Sequence, residues 1–92
     1  MITLVKIVRV EPVGGHRLKI WFSNGMAGEH DFSPDLAVGG SMVEPLRDTV
    51  HLARVFIELG VLAWPNGYDM DAIALHDDMS RAGELRRVSD AA

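Results

Sequence analysis

From His16 to Phe22 the chain alternates strictly, with Leu18, Ile20 and Phe22 on one side and Arg17, Lys19 and Trp21 on the other. A period of two over this length specifies a half-buried β-strand. Ser23-Asn24-Gly25 follows directly. Asn-Gly is the strongest short hairpin signal, because both residues tolerate the positive φ that a type I′ turn needs. The next strand then runs from Met26 to Phe32, with Met26, Gly28, His30 and Phe32 facing one way and Ala27, Glu29 and Asp31 the other. A hairpin written this clearly commits the chain to an antiparallel sheet.

The flanking segments extend that sheet. Ile2 to Val13 is rich in Val and Ile, which favour strands. Its alternation is imperfect, as a bulge near Val8 or partial cover on both faces would produce. Pro12 and Gly14-Gly15 are expected to end it. After Phe32, Ser33 is placed to cap one helical turn with Pro34 at its first position, and Gly39-Gly40 to stop it. Val43 to Asp48, which contains Pro45, is expected to be irregular. Thr49 to Leu59 fits two patterns: Val50, Leu52, Ala53, Phe56 and Ile57 suit a helical face, and Val55 and Ile57 a strand. The favoured reading is a helical turn near Asp48–Leu52 and then a strand from Arg54 to Leu59. Gly60 makes a tight turn, and Val61 to Trp64 returns to Pro65-Asn66-Gly67. The last element is a helix, with Asp69 as N-cap, Asp71 in the first turn, Ile73, Leu75 and Met79 as its apolar contacts, and Gly83 as its stop.

The expected fold is therefore α+β. An N-terminal three-strand meander plus a second hairpin forms a small antiparallel sheet, packed with one C-terminal helix. Residues 1–83 make a single domain and 84–92 a polar, frayed tail. The chain has 92 residues, 48% of them hydrophobic and 24% charged, which fits one ordinary globular domain. A domain of this size buries only roughly 60–65% of its unfolded surface. With no cysteine in the chain, neither a disulfide nor a thiolate metal site can supplement its core. A homodimer would add buried apolar surface. Lys6 and Arg9 interrupt the first apolar run, so it is not a signal peptide. No stretch reaches the roughly 18 apolar residues of a membrane span. The cytoplasm is the expected location.

The candidate chemistry is sparse. His76-Asp77-Asp78 are consecutive on a helix and point about 100° apart, so they do not converge on an ion. Asp69 and Asp71 suggest a calcium loop, but Ile73 stands where a third oxygen ligand belongs. His30 and Asp31 lie on opposite faces of a strand. No serine sits in a nucleophile elbow, and neither glycine pair continues into a phosphate loop. No catalytic residue, metal or cofactor is expected, and a small histidine-containing enzyme built on His16, His30 and His51 is the least favoured reading. Nine cations against a net charge of −4 disfavour nucleic acid across the whole surface. Even so, Arg17, Lys19 and Trp21 on one face resemble part of a single-strand platform, and with Arg9 they would need to form a coherent basic stripe. Trp64 reads first as a core residue before a Pro-Asn-Gly turn, and alternatively as an exposed hot spot.

Several strings together resemble the bacterial family of domain of unknown function 2442. They are Leu18-Lys19-Ile20-Trp21-Phe22, Asn24-Gly25, Asp31-Phe32 with Pro34, Pro45-Leu46-Arg47-Asp48, Phe56, and Trp64-Pro65-Asn66-Gly67-Tyr68-Asp69 with Leu75. In the last helix the family often has Pro-Glu and Leu-Tyr where this chain has Asp71-Ala72 and Leu75-His76. The resemblance implies a small α+β domain with no established catalytic residues. Some members continue into a C-terminal helix-turn-helix, for which Glu84 to Ala92 is too short. Others are encoded beside a second small protein in toxin–antitoxin-like pairs. The resemblance therefore implies a non-enzymatic protein-binding module, an antitoxin-like neutraliser or regulator of a small companion protein. Its interaction residues are expected among Trp21, His30, Trp64, Asn66 and Tyr68.

Overall fold

The computed structural model describes residues 4–88. Its elements are β1 (Ile7–Gly14), β2 (Arg17–Phe22), β3 (Met26–Asp31), α1 (Ser33–Val38), a 3₁₀ turn (Glu44–Arg47), α2 (Thr49–Leu52), β4 (Phe56–Glu58), β5 (Val61–Ala63), β6 (Asp69–Met70), α3 (Ala72–Arg81) and β7 (Arg86–Arg87). One antiparallel sheet has the order β1-β2-β3-β7 and the other β4-β5-β6. The α+β class, the N-terminal meander and the second hairpin agree with the sequence. Residues 2–3 of the expected first strand and 89–92 of the expected tail lie outside the described residues.

The alternation of β2 sets the core. Leu18, Ile20 and Phe22 point inward and are buried, each worth about 1.5–3 kcal/mol relative to exposure. On β1, Ile7 pairs with Phe22 and Arg9 with Trp21, so Val8 is a bulged residue. The bulge shifts the inward parity from Ile7 to Val10, which explains the broken alternation. The strand passes through Pro12, which an edge strand tolerates, and ends at Gly14, at the Gly14-Gly15 pair expected to end it.

The β2–β3 turn differs from a type I′ hairpin. Gly25 has φ +84°, but Asn24 is not in the left-handed region. Gly25 N–H donates to the Phe22 carbonyl, and Asn24 Oδ1 accepts from Met26 N–H. A three-residue loop places only its glycine at positive φ, leaving Asn24 free to use its side chain in the turn.

The helices also refine the expectations. Helix α1 is six residues long, with Phe32 rather than Ser33 at its N-cap. The Arg47 guanidinium donates to the Leu36 carbonyl near its C-terminal end, at 3.3 Å from Nε and 3.0 Å from Nη2. This satisfies a carbonyl that a short helix would otherwise leave unpaired. Helix α2 is capped by Asp48, which accepts from Val50 N–H at 3.0 Å. The N-cap of α3 is Asp71, which accepts from Ala74 N–H at 2.8 Å; Asp69 instead pairs with Ala63 in the β5–β6 ladder. Ala72, Leu75 and Met79 form the buried stripe, and Ile73, one step round the helix, is 48% exposed. Beyond Ala82, Gly83 N–H donates to Ser80 and Glu84 N–H to Met79, with Gly83 at φ +73°. That Schellman motif reverses the chain.

The reversal overturns the expectation of a frayed tail over its first residues. Glu84 and Leu85 are half-buried, and Arg86–Arg87 pair with Ala27 and Met26 as a fourth strand. A single core then joins both sheets and all the helices: Ile7, Leu18, Ile20, Phe22, Phe32, Leu36, Leu46, Leu52, Leu62, Trp64, Ala72, Leu75 and Met79. Among the described residues no helix is long and apolar enough to cross a membrane.

Candidate functional site

The outward face of β2 carries Arg17, Lys19 and Trp21 because the inward residues take the core. Arg9 stands opposite Trp21 on β1 and sets its guanidinium carbon 4.7 Å from the ring centroid. Lys19 Nζ lies 5.0 Å from the same ring. The half-exposed indole is thus fixed by two cation–π contacts. Next to it, across the outward face of β2, β3 and β7, lies a groove of about 480 Å³ lined by Lys19, Trp21, Gly28, Glu84, Arg86 and Arg87 among others.

The charges around this groove are sorted. Glu29 is engaged by Arg17 at 2.9 Å, and this hydrogen bond, with the attraction behind it, raises the Arg17 pKa. Glu84 is engaged by His30. Lys19, Arg86 and Arg87 have no carboxylate within ion-pair distance among the described residues. The groove therefore presents three cations that no described carboxylate pairs, beside an aromatic ring, although the whole chain carries −4.

His30 holds the C-terminal wall. Its Nδ1 donates to Glu84 Oε1 at 2.8 Å and its Nε2 to Asp35 Oδ2 at 3.1 Å, while its ring meets Phe32 edge-on at 4.6 Å. Ionised carboxylates only accept, so both bonds together need the imidazolium. Burial pulls the His30 pKa down, and the bonds to Glu84 and Asp35 more than offset that, leaving it above the ordinary 6.5. A raised folded-state pKa contributes stability that is complete below the unfolded value and is lost as pH rises through the folded one. Urea midpoints measured between about pH 6 and pH 8, where histidines titrate, should therefore fall as pH rises. His30→Gln should flatten that slope, and an unchanged slope in His30→Gln would assign the effect to another group.

The remaining expected site residues lie in the β5–β6 connection. Trp64 is 1% exposed, and its Nε1 donates to the Leu52 carbonyl at 3.0 Å, so it is not a surface hot spot. The aromatic body fills the core while its one polar group is satisfied by backbone. Asn66 Nδ2 donates to the Met42 carbonyl at 2.9 Å, and its Oδ1 lies 3.4 Å from both His51 Nε2 and Tyr68 N. Tyr68 is half-buried against Trp64, with ring centroids 5.6 Å apart. Burial, then Asp35 and Asp69, raise the Tyr68 pKa. These three residues build a turn; Trp21 and His30 belong to the other sheet.

The histidines do not assemble. His16 donates to the Arg47 carbonyl at 2.7 Å, and Asn24 Nδ2 donates to His76 Nε2 at 2.9 Å. No metal-binding group of three or more side chains forms among the described residues. Sequence reasoning missed Glu84, Asp35, Gly28 and the strand role of Arg86–Arg87. Only Gly28 carried a local signal, since glycine inside a strand pattern marks a close backbone approach.

A two-sheet α+β domain with a cationic, aromatic groove at one sheet edge is the class that these features define. The chain belongs to the family described as protein of unknown function (DUF2442), whose model matches residues 7–78. The match ends before Gly83–Val88, so it covers one wall of the groove and not the other. Neither the curated proteins nor the solved structures provide a match.

Proposed function

We propose that this chain is a non-catalytic protein-binding module that neutralises or regulates a small companion protein in the manner of an antitoxin, and that the Trp21 groove is its binding face. The observation that carries the reading is the half-exposed Trp21, held in place by Arg9 and Lys19 at the mouth of the groove. A rigid aromatic with cations at its rim is the side-chain chemistry of interface hot spots. The companion-protein element rests on the family resemblance.

Nucleic acid is the second reading, favoured by the same aromatic and its cations. Two of the three cations expected to form a stripe are tied to carboxylates, Arg9 to Glu11 and Arg17 to Glu29, and Glu29 and Glu84 line the groove. Of the expected stripe only Lys19 is then left without a carboxylate partner among the described residues, and Trp21 offers a single stacking ring, which together weigh against it.

The test is affinity purification of the tagged chain from its own host, alongside a Trp21→Ala variant. A stoichiometric small protein should accompany the parent chain, with affinity for the variant weakened about 30-fold, as for a hot-spot loss of about 2 kcal/mol. Recovery of the chain alone, or equal recovery of the partner by both, would overturn the proposal.

A further inference from the structure

Resting on that reading, we infer that the groove receives an acidic, extended segment of the partner protein, with an apolar side chain of that segment on Trp21. Three observations lead there. First, Lys19, Arg86 and Arg87 line the groove without a carboxylate partner among the described residues. Second, the two carboxylates that share the groove are already engaged, Glu29 by Arg17 at 2.9 Å and Glu84 by His30 at 2.8 Å. An incoming acidic chain thus meets cations without a carboxylate partner among the described residues and carboxylates already held by Arg17 and His30, and this complementarity selects for negative charge.

Third, the shape suits an extended chain. The groove crosses the outward face of the sheet, from Lys19 and Trp21 on β2, over Gly28 and Glu29 on β3, to Arg86 and Arg87 on β7. Arg86 and Arg87 are exposed there and stand on the last strand of the sheet, whose far side has no neighbouring strand among the described residues. A segment lying extended in this groove meets Trp21 on one wall and the arginines on the other, and its alternating side chains can divide between them. A nucleic-acid strand fits less well, because one aromatic ring gives one stacking platform where such grooves use several.

The experiment is a fluorescence-anisotropy titration of the full chain with three labelled probes: an alternating Glu-Leu peptide, its Lys-Leu counterpart and a thymidine oligonucleotide. The Glu-Leu peptide should bind, and binding should weaken as added salt screens exposed charges. The double variant Arg86→Glu, Arg87→Glu should lose about tenfold or more in affinity for it and gain affinity for the Lys-Leu peptide. Far-UV circular dichroism of the variant checks that the fold is retained, and reversal of peptide preference cannot come from unfolding. Equal binding of both peptides, or binding of the oligonucleotide alone, would overturn the inference. A chain that captures a companion protein through Trp21 but ignores the acidic peptide would refute the acidic segment and leave the binding-module reading standing. Loss of both would overturn the two together.

Discussion

Trp64→Ala should unfold the domain at a much lower urea concentration than the parent chain. The indole is 1% exposed, donates to the Leu52 carbonyl at 3.0 Å and stacks against Tyr68. Removing a buried aromatic ring of this size costs about 3–5 kcal/mol through lost transfer energy and the cavity left behind. A domain of this length has only about 5–15 kcal/mol in total, so the change takes a large share. Trp21→Ala is the control, since exposed cation–π contacts contribute only about 0.5–1 kcal/mol each. Urea unfolding followed by far-UV circular dichroism reads both variants. Similar midpoints for the two would mean that Trp64 does not hold the β5–β6 turn to the core. Trp64→Phe should fall between them, because it keeps most of the apolar volume and loses the indole hydrogen bond, worth about 0.5–1.5 kcal/mol.

The contrast between the two tryptophans shows what the sequence could express. Trp21 shares a strand face with Arg17 and Lys19, an alternation that groups the three without stating their burial, and the structure leaves it half-exposed. Trp64 stands beside Pro65-Asn66-Gly67, where no period runs long enough to assign a face, so core and surface readings both survived until packing decided. The same distinction separates the meander, legible from local pattern, from the clamp around His30. Glu84 lies far along the chain from His30, and neither residue's neighbours hint at the pairing. The Arg86–Arg87 strand was hidden for a related reason. Two polar residues have no strand pattern of their own, and they pair because the Schellman turn after Met79 delivers them to the edge of β3. Asp71 took the capping role expected of Asp69 because tertiary pairing with Ala63 kept Asp69 in a strand.

Gly28→Ala should release the C-terminal wall of the groove. A Cβ at this position would lie 2.1 Å from the Glu84 carbonyl oxygen and 2.9 Å from its carbon. Both are backbone atoms, so no side-chain rotation relieves the overlap. Glycine inside a strand gives up packing and conformational entropy. Here it lets the chain emerging from α3 pass directly against β3. Overpacking of this kind costs about 1–3 kcal/mol, and more where backbone must move. The cost should fall locally, on the segment from Glu84 to Arg87, whose ladder to β3 is only two residues long. Amide hydrogen exchange at Arg86 and Val88 should then accelerate well beyond that in β2. Because the Glu84 bond helps to hold the His30 pKa above 6.5, its release should bring the histidine back toward that value in an NMR titration. The same variant should weaken capture of the companion protein, since Arg86 and Arg87 would no longer be held beside Trp21. Unchanged exchange and an unchanged His30 titration would show that the strand tolerates the methyl group by shifting as a whole. In that case the groove does not depend on the close approach at Gly28.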